Sequence, residues 1–359
     1  MTTTEYNDLT ELSGTAFVPR VHTERVLTKK EFASSSDVRW CPGCGDYAIL
    51  AAFQQFVPEL GIAPENIVVV SGIGCSSRFP YYVDSYGMHA IHGRAPAVAT
   101  GIATARADLS VWIMTGDGDA LAIGGNHVIH AMRRNVNMNI VMFNNEIYGL
   151  TKGQYSPTSP VGTVSKSSPF GSVDHPFNPV RLVLGSDATF VARTVASDRQ
   201  HLTATLRRAA LHRGTSFVEV LQNCVIFNDG AFDGLKADAD GPHILRMEEG
   251  QQLIAGDRCV VRDPVRGLTV APTGSTDPSK IIVHDPTHEN PGVAFALASI
   301  EGADEHDLVP IGIFREVARP AFDDDVREQL RTYVDAGGGL PTDLDMASLL
   351  AGRNTWTVS

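Results

Sequence analysis

Apolar runs alternate with polar turns through the first two thirds of the chain. An apolar run at 111–115 precedes the polar turn 116–119. A segment with helically spaced apolar residues follows this turn, and a second apolar run at 138–143 comes next. This order of strand, helix and strand predicts a right-handed crossover between parallel strands. The same reading predicts further strands at 67–70, 189–195 and 216–221, and helices at 46–57, 97–107, 179–184 and 199–213. The pattern predicts an α/β fold with a mainly parallel sheet flanked by helices.

Composition divides the chain into three parts. Residues 1–36 are polar and rich in Thr and Ser, which predicts an N-terminal arm. Residues 37–230 carry the regular pattern and are predicted to form the catalytic domain. Within them, 155–180 is loaded with Pro, Ser and Gly and predicts a long loop that covers an active site. Residues 231–359 form a C-terminal extension of unknown role, with shorter apolar runs and helix-like segments at 292–300 and 322–334.

Charge and hydropathy exclude several classes of protein. The 359 residues carry a formal net charge of −12 without a cluster of Lys and Arg, which argues against a nucleic-acid partner. No segment approaches the roughly 18 consecutive apolar residues of a membrane helix. The first residues lack the basic and apolar regions of a secretory signal. We therefore expect a cytoplasmic protein that does not bind membranes.

The two polar turns carry oxygen ligands. Asp117 lies in the sequence Gly-Asp-Gly-Asp after the first apolar run, and Asn145 lies in Asn-Asn-Glu after the second. Open α/β sheets bind ligands at the carboxyl ends of their strands, where both turns are expected. A carboxylate and an amide oxygen, with room for phosphate oxygens and water, suit Mg²⁺ on a diphosphate. An isolated Gly-Asp-Gly is more often only a turn, but its pairing with Asn-Asn after one crossover favours the cofactor.

The cysteines suggest a second cofactor. Cys41 and Cys44 are spaced as C-x-x-C, a pattern that alone suits zinc, a redox pair or a cluster. Cys75 and Cys224 each follow a predicted strand of the same sheet, so all four can meet at one edge. Four thiolates suit an iron–sulfur cubane better than an open catalytic metal site. Cys259 has no motif around it and is expected to be a buried small hydrophobic residue.

Taken in order, the motifs WCPGCG, GIGCSSR, HGR, GDGD, NNEIYGLTKGQYSPTS and FVAR resemble those of the β subunits of 2-oxoacid:ferredoxin oxidoreductases, most closely the 2-oxoglutarate type. The resemblance covers about residues 35–230. It implies a thiamine diphosphate-binding fold and the oxidative decarboxylation of 2-oxoglutarate with coenzyme A to succinyl-CoA and CO₂. The electrons would pass through a [4Fe–4S] cluster to ferredoxin.

The resemblance also implies roles for individual residues. Mg²⁺ would be bound by Asp117, Asn145 and the carbonyl of Ile147, and the [4Fe–4S] cluster by Cys41, Cys44, Cys75 and Cys224. Thiamine diphosphate would be lined by Ile73, Gly74, Cys75, Ser76, His92, Gly118, Asp119, Gly149 and Leu150. His92 would also take part in catalysis. Arg78 and Lys152 are expected to hold the distal carboxylate of the substrate, since a guanidinium fits a carboxylate well.

One expected residue is missing. The family supplies from its α subunit, or a fused γ–α subunit, the Glu that helps to form the reactive cofactor. The resemblance therefore implies an α₂β₂ heterotetramer in which that subunit also contacts coenzyme A. A β subunit for pyruvate or for a broad range of 2-oxoacids is the nearest alternative. A thiamine enzyme of the acetolactate type and a non-catalytic iron–sulfur or zinc module are more distant ones.

Overall fold

The computed structural model describes residues 13–22, 25–235, 244–265, 267–300, 308–339, 342–353 and 356. Residues 1–12 and 23–24 of the predicted arm lie outside these ranges. So do the parts of the predicted C-terminal extension at 236–243, 266, 301–307, 340–341, 354–355 and 357–359.

Most strands belong to one large sheet. The strands are β1 (Ile67–Ser71), β2 (Tyr86–His89), β3 (Ser110–Gly116), β4 (Met138–Asn144), β5 (Ile147–Tyr148), β6 (Gln154–Tyr155), β7 (Phe190–Val195), β8 (Thr215–Leu221), β9 (Ile244–Met247), β10 (Ile254–Ala255), β11 (Arg258–Asp263), β12 (Gly267–Pro272) and β13 (Val309–Glu316). Eight of them pair in the order β2-β1-β3-β4-β8-β7-β13-β9. All neighbours in this sheet are parallel except β7 and β13. The strands β10, β11 and β12 form a separate antiparallel sheet, and β5 and β6 form a hairpin.

The helices connect these strands. They are α1 (Asp46–Phe56), α2 (Phe79–Tyr82), α3 (Ala95–Ala105), α4 (Asp117–Leu121), α5 (Gly125–Arg134), α6 (Pro179–Gly185), α7 (Arg199–Leu211), α8 (Gly292–Leu297), α9 (Phe322–Tyr333) and α10 (Asp343–Ala351). A π-helical turn, Val334–Gly338, follows α9 directly. Short 3₁₀ turns lie at Lys29–Phe32, Val57–Leu60, Pro64–Asn66, Ser76–Arg78, Asp233–Leu235, Thr273–Ser275 and Pro278–Lys280. None of the helices in the described ranges is long and apolar enough to span a bilayer.

The predicted α/β fold is confirmed. The five predicted strands are β1, β3, β4, β7 and β8, each within one residue of its predicted ends, and β3 and β4 are parallel neighbours. The strand β1 is buried along its whole length because both faces of the parallel sheet are covered. Val68 and Val70 belong to the core on one face, whereas Val69 belongs to the core on the other. Helices α1 and α7 pack together on the second face.

The single helix predicted after the Gly-Asp-Gly-Asp turn is wrong in one respect. It is two helices, α4 and α5, and α4 already begins at Asp117. The helix is interrupted between α4 and α5, where the Gly124 N–H donates to the Asp119 carbonyl. Gly93 packs closely against this interruption, since a Cβ added to Gly93 would lie 2.5 Å from the Gly124 Cα. The break therefore brings the 89–96 loop against the turn that carries Asp117.

Part of the C-terminal region joins the main sheet. The strand β13 pairs with β7 in antiparallel register, and β9 pairs with β13 at the edge of the sheet. The helix-like segments predicted at 292–300 and 322–334 contain α8 and α9. The predicted domain boundary near residue 230 stays a prediction. Strands from both sides of that boundary belong to the main sheet.

Candidate active site

A cavity of about 340 Å³ lies at the carboxyl ends of β1, β3 and β4. Every residue predicted to line the thiamine cofactor borders this cavity, as do the three predicted magnesium ligands. They are Ile73, Gly74, Cys75, Ser76, His92, Asp117, Gly118, Asp119, Asn145, Ile147, Gly149 and Leu150. The parallel register of β1, β3 and β4 brings them together, because it aligns the turns that follow these strands.

The Asp117 carboxylate is held by two hydroxyl groups. Asp117 is only 3% exposed, and its Oδ2 accepts hydrogen bonds from Ser156 Oγ at 2.5 Å and from Thr158 Oγ1 at 2.6 Å. Burial raises the pKa of Asp117 to about 6, and the two hydroxyls act against that rise by stabilising the charged form. The carboxylate is therefore buried, oriented and ionised above about pH 6.

The turn after β4 presents Asn145 and Ile147 to the same cavity. Asn145 is 8% exposed, and its Oδ1 accepts a hydrogen bond from the Ile147 N–H at 3.2 Å. The intervening Glu146 adopts a left-handed conformation with φ of 55°. Asn228 Nδ2 donates to the Asn145 carbonyl at 2.9 Å and ties this turn to the segment after β8. The amide and the neighbouring backbone are thus fixed beside Asp117.

Asp119 joins two loops around the cavity. Its Oδ1 accepts from the Gly93 N–H at 2.7 Å, and its Oδ2 accepts from Thr115 Oγ1 at 3.0 Å. Burial raises the pKa of Asp119, while the Gly93 and Thr115 hydrogen bonds lower it. Gly118 must lack a side chain, because an added Cβ would lie 2.1 Å from the Tyr148 ring. The Tyr148 hydroxyl donates to the Gly118 carbonyl at 3.1 Å and fixes that close approach.

A second cavity, of about 210 Å³, adjoins the first. It is lined by all four cysteines of the predicted cluster site, Cys41, Cys44, Cys75 and Cys224. The two cavities share Cys75, Asn145, Gly149 and Leu150 as lining residues. A Cβ added to Gly149 would lie 3.5 Å from Cys224 Sγ and 3.6 Å from Cys75 Sγ, so both sulfur atoms face this glycine.

The surroundings of Cys44 and Cys75 raise the pKa of both thiols. Burial and the nearby Asp46 carboxylate raise the pKa of Cys75 to about 12, and neighbouring cysteines add to the rise. The pKa of Cys44 is raised by the same causes. All five cysteines are free, and Cys259 is buried in the C-terminal region, as expected. Within the described ranges, no three His, Cys, Asp or Glu side chains already stand in a metal-binding arrangement.

The predicted substrate residues lie at the cysteine cavity. Arg78 and Lys152 border it, but they do not border the larger cavity. Lys152 adopts a left-handed conformation with φ of 79° in the tight turn between β5 and β6. Both residues therefore share the cysteine cavity with Gly149 and Leu150, which line both cavities, whereas Asp117 lines only the larger one.

Sequence reasoning missed several polar residues of the site. Asp46 is fully buried at the start of α1 and borders the larger cavity together with Gln222. In the described part of the chain, no nitrogen or oxygen donor reaches either Asp46 carboxylate oxygen, and Gln222 Oε1 likewise has no partner. Burial raises the pKa of Asp46 to about 7. The available signal was an acid directly after the C-x-x-C-Gly motif, and that position also suits an ordinary first residue of a helix.

Comparison with known proteins identifies the class of protein first. Residues 72–220 match the family described as thiamine pyrophosphate enzyme, C-terminal TPP binding domain. This range runs from the loop after β1 to the end of β8 and includes both polar turns. The larger cavity thus belongs to a thiamine diphosphate-binding domain.

The whole chain identifies the family. It is 53% identical over 360 residues to the 2-oxoglutarate oxidoreductase subunit KorB of Mycobacterium tuberculosis, covering 99% of this chain and 94% of that relative. It is 45% identical over 192 residues to the 2-oxoacid:ferredoxin oxidoreductase subunit beta of Saccharolobus solfataricus, covering 53% of this chain and 63% of that relative. The chain belongs to the β-subunit family of the 2-oxoacid:ferredoxin oxidoreductases, so the resemblance predicted from the motifs is confirmed.

A solved structure extends the similarity to the C-terminal region. The chain matches the 2-oxoglutarate:ferredoxin oxidoreductase from Magnetococcus marinus, solved with 2-oxoglutarate, coenzyme A and succinyl-CoA bound, with a TM-score of 0.73 and 32% identity. The match covers 94% of this chain and 100% of that chain. The relatives are subunits of an oxidoreductase complex, and this chain is likewise one subunit of a larger enzyme.

Proposed function

We propose that this chain is the β subunit of a 2-oxoglutarate:ferredoxin oxidoreductase. The observation that carries the proposal is the pair of adjoining cavities, one lined by Asp117 and Asn145 and the other by four cysteines. A cofactor that releases electrons and a group that accepts them are best placed when they are neighbours. The reaction would convert 2-oxoglutarate and coenzyme A to succinyl-CoA and CO₂, and two electrons would leave one at a time for ferredoxin.

The larger cavity fits thiamine diphosphate and Mg²⁺. Asp117, Asn145 and the Ile147 carbonyl would bind the ion, which prefers a few oxygen ligands and keeps room for phosphate oxygens. When bound, the thiazolium ring supplies the carbon nucleophile and stabilises the charge left by decarboxylation. Gly118 lines the cavity and lets the Tyr148 ring pack against its backbone, and His92 lines the cavity as a polar neighbour of Asp119.

The smaller cavity fits a [4Fe–4S] cluster. It offers four sulfur atoms, the ligand set that cubane clusters use. Gly149, which has no side chain, leaves open the space in front of Cys75 and Cys224. A cluster would also reverse the local electrostatics, because bound iron favours thiolates where the protein alone favours thiols. These residues would then carry electrons out of the thiamine cavity through Cys75, which borders both cavities.

Arg78 and Lys152 would select the substrate. Both are basic side chains that line the smaller cavity, which adjoins the larger one through Gly149 and Leu150. A distal carboxylate that reached them would be paired, whereas the methyl group of pyruvate would leave the charges without a partner. This arrangement favours 2-oxoglutarate over pyruvate.

A partner subunit would complete the site. This partner would be an α subunit, or a fused γ–α subunit, in an α₂β₂ heterotetramer. It would supply the Glu that activates thiamine and most of the contacts to coenzyme A. Ferredoxin would accept the electrons. The cytoplasmic location expected from the sequence stays a prediction.

Steady-state assays of the complex purified without oxygen would test this function. The chain is co-purified with its α partner, and reduction of a viologen dye is measured with 2-oxoglutarate or pyruvate in the presence of coenzyme A. We expect kcat/KM for 2-oxoglutarate to exceed that for pyruvate by about 100-fold, the effect of one well-paired carboxylate. Equal values would favour a broad-specificity enzyme. A colourless zinc protein without dye reduction would contradict the proposal.

A further inference from the structure

A chain of buried polar contacts leads from the centre of the sheet to Asp117. We propose that Ser156 and Thr158 occupy one oxygen of the Asp117 carboxylate and leave the other oxygen for a metal ion, an arrangement that would favour Mg²⁺ over Ca²⁺. This positioning role rests on the proposed function, since it presumes an ion at Asp117. Neither hydroxyl is one of the ligands assigned above.

The two hydroxyl contacts at Asp117 are made to the same carboxylate oxygen. Ser156 Oγ and Thr158 Oγ1 both lie within 2.6 Å of Oδ2. No side-chain hydroxyl in the described ranges contacts Oδ1, although the backbone of Asp117 and Gly118 also stabilises the carboxylate. Charge-assisted O–H···O⁻ bonds of this length are among the strong hydrogen bonds of proteins. An ion that also approached Oδ2 would have to displace two donors.

The two hydroxyls are fixed by the start of the long loop. The Ser156 N–H donates to Ser159 Oγ at 2.7 Å, and the Ser159 hydroxyl in turn donates to the Glu146 carbonyl in the turn that carries Asn145. Ser156, Thr158 and Ser159 are each at most 5% exposed. The loop predicted to cover the site therefore begins by joining the two metal-binding turns to each other.

Thr158 continues the chain into the sheet. Its hydroxyl also lies 2.9 Å from Asn144 Oδ1, so its single proton is shared between Asn144 and Asp117. Asn144 must direct its amide oxygen to Thr158, because its Nδ2 donates to Glu219 Oε1 at 2.7 Å. Glu219 is fixed in turn by the Arg193 Nε at 2.6 Å on the neighbouring strand. Arg193 belongs to the FVAR motif, to which the sequence alone assigned no chemistry.

The buried Arg193–Glu219 pair fixes the position of Asn144 and therefore that of Thr158. The Arg193 and Glu219 side chains are at most 2% exposed, and a buried charged pair holds its geometry because removing one partner leaves the other charge unpaired. The Asn144 amide cannot rotate without turning an oxygen towards the Glu219 carboxylate. Asn144 therefore fixes the Thr158 hydroxyl, and the Thr158 hydroxyl fixes Oδ2 of Asp117.

Binding through a single oxygen discriminates between two ions. Ca²⁺ accepts bidentate carboxylates and six to eight oxygen ligands, whereas Mg²⁺ demands octahedral geometry and binds few carboxylate oxygens. Blocking Oδ2 removes the bidentate mode and costs Ca²⁺ a ligand that Mg²⁺ does not use. Removing the hydroxyls would free Oδ2 and allow the carboxylate to move. The affinity for Mg²⁺ would then fall, whereas the affinity for Ca²⁺ would change little.

The test compares the two ions on the complex of this chain with its α partner. Thiamine diphosphate binding is titrated with MgCl₂ or CaCl₂ for wild type, Ser156→Ala and Thr158→Val, and thermal melting checks that each variant folds. We expect the Mg²⁺ affinity to fall about 10-fold to 100-fold, as for other residues that support metal ligands, while the Ca²⁺ affinity changes by less than about threefold. Thr158→Ser, which keeps the hydroxyl, should restore the wild-type ratio.

The control is Thr163→Val in the same loop. Its hydroxyl donates to the Pro160 carbonyl at 2.7 Å and does not contact Asp117, so the ratio of the two affinities should stay at the wild-type value. Equal losses for both ions, or no loss for either, in the Ser156 and Thr158 variants would overturn the positioning role while the proposed function stood. If the wild-type complex bound thiamine diphosphate with neither ion, the proposed function itself would fail, and this inference with it.

Discussion

The two cavities at the carboxyl edge of the sheet differ in how they are built. Around the larger one, the chain itself supplies donors for two of the acidic groups, through the Ser156 and Thr158 hydroxyls for Asp117 and the Gly93 amide for Asp119. Around the smaller one, Cys41 is exposed, and the pKa of Cys75 is raised to about 12. The larger cavity thus fixes its candidate oxygen ligands without an ion, whereas Cys75 would gain its charged form when iron bound.

The two sites should therefore respond differently to the loss of one ligand. Loss of a cysteine should remove the metal altogether, because a [4Fe–4S] cluster needs four sulfur ligands. Loss of one oxygen ligand should weaken binding, because the other groups of the larger cavity stay in place. The following predictions test that contrast.

The largest effect is expected for Cys41→Ala. This residue borders the cysteine cavity but not the thiamine cavity. We expect iron to fall from about four atoms per chain towards zero and dye reduction to fall by more than about 100-fold, while thiamine diphosphate still binds. Iron analysis and cofactor titration of the complex measure both. Cys259→Ala, whose sulfur atom is buried in the C-terminal region, is the matched control and should keep its iron. Full dye reduction in Cys41→Ala would contradict the cluster assignment.

Asp117→Asn should have the next largest effect. The amide keeps the shape of the side chain but removes the charge that attracts Mg²⁺, so cofactor affinity should fall by about 100-fold while iron content stays unchanged. Isothermal titration with thiamine diphosphate and Mg²⁺ measures the affinity. Unchanged affinity would show that the ion is bound elsewhere.

Arg78→Ala should have a smaller and substrate-specific effect. Removal of the guanidinium should raise the KM for 2-oxoglutarate by about 10-fold or more, the strength of one charge-assisted pair, and leave pyruvate unaffected. Arg78→Lys should recover part of the loss, because a charge without the planar fork pairs less well. Single-turnover binding of 2-oxoglutarate separates affinity from catalysis. The substrate role is wrong if that affinity is the same in Arg78→Ala and wild type.

The smallest effect is a pH dependence of cofactor binding. Metal binding needs the ionised carboxylate, and burial raises the pKa of Asp117 to about 6. Protons therefore compete more strongly as pH falls. Relative to pH 8, the affinity should be about twofold lower at pH 6 and about 10-fold lower at pH 5. An exposed aspartate would show this only below about pH 4. Affinity that stays constant from pH 8 to pH 5 would contradict the buried carboxylate as a ligand.

Much of the larger site could be predicted from sequence because it is built on local rules. Buried runs such as 111–115 identify strands, and the turn after each parallel strand must lie at the same edge of the sheet. The position of β13 could not be predicted, because its partner β7 lies more than a hundred residues earlier and the pattern does not encode pairing over such a distance. The roles of Ser156 and Thr158 were hidden for a related reason. The composition of 155–180 predicts a loop that covers an active site, but it does not indicate which of the loop's hydroxyls contact Asp117.

The proposed function requires electrons to pass from the thiamine cavity to the cysteine cavity within this chain. Electron paramagnetic resonance can detect this transfer in the oxygen-free complex, frozen after 2-oxoglutarate and coenzyme A are mixed with it in the absence of an external acceptor. We predict the signal of a reduced [4Fe–4S] cluster in wild type, its loss in Asp117→Asn, and its return in that variant when dithionite is added. A reduced-cluster signal of wild-type size from 2-oxoglutarate in Asp117→Asn, or none in the wild-type complex, would contradict the account.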